Sequence, residues 1–554
     1  MKKRFSNLLI KKISVAAMFA GMLFWSTSCK KFTDLQPLDA LSTTTAFSTA
    51  ANVELAMVGV YNAAAVGTYS GPGRGYPFGA ASIEQGEMRG EDMVNIATFY
   101  AITYTSTQDA SSASANMQQM WINCYQVINQ ANTFIDGVHL ALSKGVLTAA
   151  QAAAYEGEAR FLRALSHFEL VINFSRPYLD GNGSNMGVPY RTLAVNSQAA
   201  VTTASAQDRG TVAQDYTAIL ADLDYAETNL PATNAHSITR ATKGASIAIK
   251  TRIKLHMGDW AGVITEGAKL GVTGTGPYTS PIGSYKLTAS PDGPFYSGPN
   301  TNTPPGNFAN NTESIFSVEA SSSANGGVNG ALADMFGPAS VAPFPTQNGR
   351  NLVCTSPNLY NASFWVASDT RRNLLQIKQT VSGSNFMFNW KYRDVVTTSD
   401  YAPIVRYAEV LLNVAEANAR TSVLPTALAM LNAVRNRAVA VADQYTALSF
   451  PTSITLTQAI LNERRIEFAG EGRRWEDITR LANDANFAVP GGVPAKILSS
   501  QLAGTGTDYV GAGGPQLVGA SPAIPYSSFK FLWAIPTVET SANPVLAKQQ
   551  NPGF

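Results

Sequence analysis

Four carboxylates fall within residues 84–92: Glu84, Glu87, Glu91 and Asp92, with several aromatic side chains nearby. Two acids flanking a sugar ring are the equipment of a glycosidase, one protonating the leaving oxygen while the other attacks or activates water. The separation which that chemistry needs is not fixed by sequence spacing. The same stretch could instead hold a ligand without cleaving it, or pack its aromatics beneath a loop. The residues alone leave these three readings open.

A denser set of charges occupies 463–480: Glu463, Arg464, Arg465, Glu467, Glu471, Arg474, Asp477 and Arg480. Gly470 and Gly472 interrupt the run, because glycine weakens a helix and tolerates left-handed turns. The two halves then fold against each other and each acid gains a base within reach. A charge-paired corner is expected here, not a catalytic pair of Glu467 and Glu471. The four histidines, His139, His167, His236 and His256, have no metal-ligand spacing. No G-x-S-x-G elbow, P-loop or H-E-x-x-H is present. Asp180-Gly-Asn-Gly-Ser-Asn185 offers oxygen ligands, but lacks the spacing and terminal Glu of a calcium loop, and reads as a turn. No catalytic residue, metal site or cofactor is expected.

The elements that must position these residues are mostly helical. Segments 113–142, 148–175, 207–230, 241–257, 259–271, 403–420, 425–439, 455–469 and 473–483 fit a 3.6-residue period or a helix-rich composition. Phe161, Leu165, Phe168 and Ile172 form one stripe, with Thr148 placed to cap the helix start. Ile404, Ala408, Leu411, Ala415 and Ala419 form another. Met117, Trp121, Cys124, Ile128 and Ala131 form a third, so Cys124 reads as a buried thiol rather than half of a bridge to Cys354. Short turns at Gly258-Asp259 and near Pro425 suggest helix pairs of the tetratricopeptide kind, which stack to bury what one pair cannot. Residues 272–355 are rich in Gly, Pro, Ser, Thr and Asn and read as a long loop-rich insertion containing one strand, Glu313–Glu319. Stretch 66–105 is a second loop-rich region. Phe531, Trp533 and Ile535 alternate before Pro536 and suggest a short terminal strand.

The N-terminus is an export address. Lys2, Lys3, Arg4, Lys11 and Lys12 precede an apolar run, Ile13 to Trp25, and then Ser26, Thr27, Ser28 and Cys29. Residues 1–28 read as a lipoprotein signal peptide with Cys29 as the acylated residue, and 29–50 as a lipidated tether. Without those five basic charges the formal +2 becomes −3. A weakly acidic mature chain with 14% charged residues has no electrostatic footprint for nucleic acid.

Six blocks in order resemble the SusD/RagB family: Glu158-Ala-Arg-Phe-Leu-Arg-Ala164, Arg240-Ala-Thr-Lys-Gly-Ala245, Arg406-Tyr-Ala-Glu-Val-Leu-Leu-Asn-Val-Ala-Glu-Ala417, Leu431-Asn-Ala-Val-Arg-Asn-Arg-Ala438, the 462–480 helix pair, and the tail from Ala534-Ile-Pro536 to Asn551-Pro-Gly-Phe554. The resemblance implies a mostly α, tetratricopeptide-like body of about four helix pairs, with long irregular loops and a few short strands. It implies a single domain over 51–554, with 272–355 as the insertion and 403–483 as the C-terminal helical block. It further implies a lipid-anchored protein on the outer face of an outer membrane. Such a protein captures oligosaccharides, or other nutrients such as peptides, for a TonB-dependent transporter and is not an enzyme. A secreted glycosidase and a helical-repeat scaffold without a small ligand are the alternatives. Under the family reading the site is shallow and built from 66–105 and 272–355. Its expected contacts are the aromatics Tyr76, Phe78, Phe99, Tyr100, Tyr104, Tyr296, Phe336 and Phe344, with Arg89, Asp92 and Asn95 bonding hydroxyls.

Overall fold

The computed structural model describes residues 43–67, 75–98, 100–108, 115–233, 237–295, 311–327, 330–339, 349–381, 384–395, 397–488, 491–502 and 507–554. The expected Cys29 anchor and signal peptide lie outside them, as do Phe99, Tyr296, Phe344 and His236.

The principal helices are α1 (Ala50–Val66), α2 (Ala80–Met88), α3 (Ala115–Ser143), α4 (Ala149–Phe174), α5 (Val212–Asn229), α6 (Lys243–Met257), α7 (Trp260–Lys269), α8 (Tyr407–Arg420), α9 (Leu424–Arg435), α10 (Ser453–Glu467) and α11 (Arg474–Arg480). Side-chain oxygens set most of the starts. Thr49, Thr148, Thr211, Thr242, Asp259 and Thr452 each accept a backbone N–H from the first turn, and Thr148 and Gln151 complete a reciprocal capping box. Gly258, in the left-handed region at φ 69°, ends α6 and turns the chain into α7.

The helices pack largely in chain order: α3 on α4, α4 on α5, α5 on α6, α6 on α7, α7 on α8, then α8 on α9 and α10. This is the helical-repeat body that the stripes suggest, with α1 laid against α3. The three stripes face inward: Met117, Trp121, Cys124, Ile128, Phe161, Leu165, Phe168, Ala408, Leu411 and Ala415 are all buried. Cys124 and Cys354 are both free and buried.

Short antiparallel strand pairs tie the irregular segments together. β1 (Met93–Asn95) pairs with β3 (Val353–Thr355), with Val94 opposite Cys354. That ladder joins the two loop-rich stretches directly. β2 (Ser314–Val318) pairs with β6 (Ala402–Arg406), with Ser314 opposite Arg406, and so joins the insertion to the C-terminal block. β4 (Gln376–Val381) and β5 (Ser384–Asn389) form a hairpin, and β7 (Gly492–Val493) meets β8 (Ile524–Pro525).

Three sequence expectations differ from the structure. The folded body begins before residue 51: Thr43–Ala46 is helical, and Phe47 is buried 5.7 Å from the Phe134 ring, above Gly137, where a side chain would collide with it. Stretch 66–105 is not all loop, since α2 and β1 lie within it. The alternation at 531–535 forms no strand and pairs with none among the described residues. Phe529–Phe531 is a 3-10 turn, and Phe531, Trp533 and Ile535 are all core.

Candidate functional site

The charged corner is the scaffold on which the loop side rests. Gly470 and Gly472 adopt φ 81° and 77°, which L side chains rarely take, and they turn α10 back into α11. Gly472 also lies against α2, with the backbone of Ile83 3.1 Å from where its Cβ would stand. Arg371, Arg406 and Arg437 converge on Glu467 at 2.8, 3.1 and 2.7 Å. Arg406 also binds Glu471 at 2.8 Å and contacts Glu313 of the insertion. Burial acts to raise the Glu467 pKa, but Arg437, Arg406 and Arg371 outweigh it and hold the carboxyl below the usual range. The expected charge-paired corner is therefore what forms, with its ionic groups enclosed.

The same corner takes up the acids of 84–92. Gly472 N–H donates to Glu87 Oε1 at 2.7 Å. Arg474 binds Glu91, and Arg465 binds Asp92. Burial pushes Glu87 up to about 8, while Arg474 and Arg465 overcome burial at Glu91 and pull its pKa down. A pair of carboxyls pushed apart in this way is what acid–base chemistry uses. Here Glu87 is fully enclosed and Glu91 and Asp92 are committed to arginines, so no sugar ring reaches between them.

The expected ligand contacts that fall among the described residues are buried in the core, which corrects their assignment to the surface. Tyr76 is 1% exposed, its hydroxyl 3.4 Å from that of Tyr100. Tyr100 donates to Ala81 O at 3.1 Å, and Tyr104 to Ile497 O at 2.6 Å. Phe78 is buried, and Phe336 is buried 5.6 Å from the Tyr392 ring. Arg89 lies 3.2 and 4.4 Å from the ring centres of Trp475 and Trp533, and donates to Asn173 Oδ1 and Phe531 O at 2.7 Å each. Asn95 is buried, with its backbone in the β1–β3 ladder. Rings with both faces covered have none left for a ligand.

His167 and His256 are likewise structural. His167 accepts the Arg191 N–H through Nε2 at 3.0 Å, and burial lowers its pKa to about 3. The 180–185 segment is a turn, in which Asp180 Oδ2 accepts the Tyr526 hydroxyl at 2.7 Å.

Among the described residues a cleft of about 230 Å³ opens between α1 and the segment that follows β2. Val58, Ala65 and Val318 give it an apolar lining. Its rim carries the exposed amide of Asn62, the carboxylate of Glu319 and the hydroxyl of Ser321. Tyr61 and Arg240 form one wall and are fixed from behind. Tyr61 donates to Glu158 Oε2 at 2.7 Å and accepts the Ala241 N–H at 2.9 Å. Arg240 forks onto Glu158 at 2.5 and 2.8 Å and stacks 4.9 Å from the Tyr61 ring centre. Burial and the Glu158 charge raise the Tyr61 pKa, so it stays a neutral phenol. The sequence signal for this wall was the Arg240–Ala245 block, read only as family resemblance; Tyr61 and Asn62 carried no signal.

A helical-repeat body with one irregular face, joined by a buried ionic corner, defines the class of fold. Comparison with known proteins names it more closely. The profile of the SusD family matches residues 385–554, and the profile described as "Starch-binding associating with outer membrane" matches 38–255. SusD-like protein P2 of Formosa agariphila is 25% identical over 411 residues, covering 68% of this chain and 73% of that protein. A SusD superfamily structure from Bacteroides fragilis superposes with a TM-score of 0.70 at 24% identity, covering 90% of this chain and 99% of that one. Another from Bacteroides thetaiotaomicron gives 0.68 at 21%, covering 91% and 100%. Surface glycan-binding protein A of Bacteroides uniformis gives 0.66 at 18%, covering 91% and 100%. The chain belongs to the SusD-like family.

Proposed function

We propose that this protein is a non-catalytic, cell-surface lipoprotein that captures oligosaccharides and passes them to a TonB-dependent outer-membrane transporter. Signal peptide 1–28, acylation at Cys29 and a short tether belong to that proposal, as does a single folded body for the rest of the chain.

The observation that carries it is the cleft between α1 and residues 318–324. An apolar lining with an amide, a hydroxyl and one carboxylate beside it suits a neutral polyhydroxylated ligand, whose C–H faces and hydroxyls alternate. The near-neutral mature charge supports the same reading, since attraction of a polyanion contributes little to such a chain. The names of the relatives point the same way: one is a surface glycan-binding protein, and one matching profile is described as starch-binding with the outer membrane. A shallow cleft of this size supports micromolar to millimolar affinity, roughly −8 to −4 kcal/mol. Retention by a transporter beneath would raise the effective affinity.

The test is to incubate residues 30–554 with a panel of neutral oligosaccharides, measuring retention on an affinity gel and the products by chromatography. Retention with unaltered products is expected. New products would make the protein a glycosidase. No retention, with membrane partners captured regardless of glycan, would make it a scaffold.

A further inference from the structure

A second, smaller cavity of about 40 Å³ lies deep in the fold, where α2, α4, the 470–476 corner and Trp533 meet. It is separate from the surface cleft and borders the ionic corner along Glu471–Glu476. Glu169 of α4 lines it and keeps part of its surface open to a water-sized sphere. Among the described residues no donor hydrogen-bonds the Glu169 carboxyl.

The cations nearby are committed elsewhere. Arg473 contacts Glu476 and donates to Ile404 O at 2.6 Å. Arg252 of α6 forks onto Glu409 at 2.7 Å through both Nε and Nη2. Of the remaining groups, Glu471 is held by Lys391 and Arg406, and Asn173 gives its Oδ1 to Arg89 and its Nδ2 to the Glu169 carbonyl at 2.9 Å. From α3 the facing group is Cys124, whose thiol is pushed up by burial and by Glu169. From α2 the cavity is lined by Ser82 and Gln85.

We propose that this cavity is a built solvent site, in which about three or four water molecules hydrogen-bond the Glu169 carboxyl and share a single proton with it. The volume sets the number, since one water needs roughly 10–15 Å³ of such space. Both amide atoms of Gln85, which also lines the cavity, are buried without a hydrogen-bond partner among the described residues, and leaving such groups dry is costly. Water supplies both a donor and an acceptor, which a protonated carboxyl needs. A metal cation is disfavoured by Arg473 in the cavity wall.

The proton follows from the same surroundings. Burial raises the Glu169 pKa to about 7, Glu476 pushes it the same way, and Arg473 and Arg252 pull back. The folded protein thus keeps a proton that the unfolded chain releases near 4.5. The folded state binds more protons between those values, so stability falls as pH rises from about 4.5 to about 7 and then levels off. The joint between α2 and the corner is consequently firmest on the acid side of neutrality.

The test uses Glu169→Gln, which keeps the shape and the hydrogen bonds but never ionises. Melting midpoints of both proteins are read at pH 5 and pH 8, in sodium, potassium and choline chloride of equal ionic strength. High-resolution diffraction locates the solvent. Ordered waters against Glu169, an advantage of the variant that grows from pH 5 to pH 8, and indifference to the cation are expected. A dry cavity, a variant whose difference from the parent does not change with pH, or a midpoint that depends on sodium or potassium overturns the proposal.

Discussion

Arg480 grips Glu416 through two parallel hydrogen bonds, Nη1 to Oε1 at 2.8 Å and Nη2 to Oε2 at 2.7 Å, with both side chains at 1% exposure or less. The fork locks α11 to α8, and so fixes the helix that carries Trp475 under Arg89. Removing one partner of such a pair leaves a buried charge unmatched, at a cost of about 3–5 kcal/mol. Arg480→Ala should lower stability by that amount in a denaturant titration. A change near zero would mean that α11 is held by packing alone.

Glu467→Ala removes a buried carboxylate shared by three arginines, each of which keeps another acid. The expected loss is again about 3–5 kcal/mol, read as a lower denaturant midpoint with an unchanged slope. An unchanged midpoint would show that the corner is solvated.

The corner also sets the acid limit of the fold. Burial tends to raise the Glu416 pKa, but Arg480 and Arg420 bring it down to about 2. A carboxyl depressed in this way stabilises the fold fully above its ordinary value of 4.5, and that contribution disappears as pH falls toward 2. Glu416→Gln should melt lower than the parent at pH 7, and the two should converge as pH falls toward 2. Parallel curves down to pH 2 would contradict this.

Tyr100→Ala with Tyr104→Ala tests the reassignment of the aromatics. Both rings are core, and each truncation should cost about 3–5 kcal/mol. The double variant should therefore unfold about 6–10 °C early or fail to accumulate. A normal melting curve with weakened glycan binding would restore these rings to a ligand site.

Much of this fold was legible in local sequence. The stripes Phe161/Leu165/Phe168/Ile172 and Met117/Trp121/Cys124/Ile128 have one buried face each, and Thr148 caps where a Thr before an Ala-rich run should. Gly470 and Gly472 announced the corner because positive φ is a local demand. Helix α1 escaped notice because its apolar residues surround it: Val53, Met57 and Val60 point inward while Leu55 and Val58 are exposed. The site was harder to read. Whether Tyr104 lies on the surface depends on Ile497, which accepts its hydroxyl from 393 residues away, and no periodicity records that meeting. The cleft has the same origin, since α1 and residues 318–324 are brought together only by the fold.

Cys29→Ala should release the protein from membranes without changing its melting midpoint, because the proposed anchor is covalent lipid and the body packs from Phe47 onward. Complete retention on salt-washed membranes would contradict the lipoprotein reading.

The central claim, that the cleft beside α1 receives the glycan, is tested most directly by calorimetric titration of residues 30–554 and its Asn62→Trp variant with an oligosaccharide retained by the parent. Asn62 is exposed on the rim, so a tryptophan there fills the cleft without entering the core. The account predicts at least a tenfold loss of affinity, about 1.4 kcal/mol or more, with an unchanged melting midpoint. Equal affinity in a stably folded variant would place the site elsewhere and contradict it.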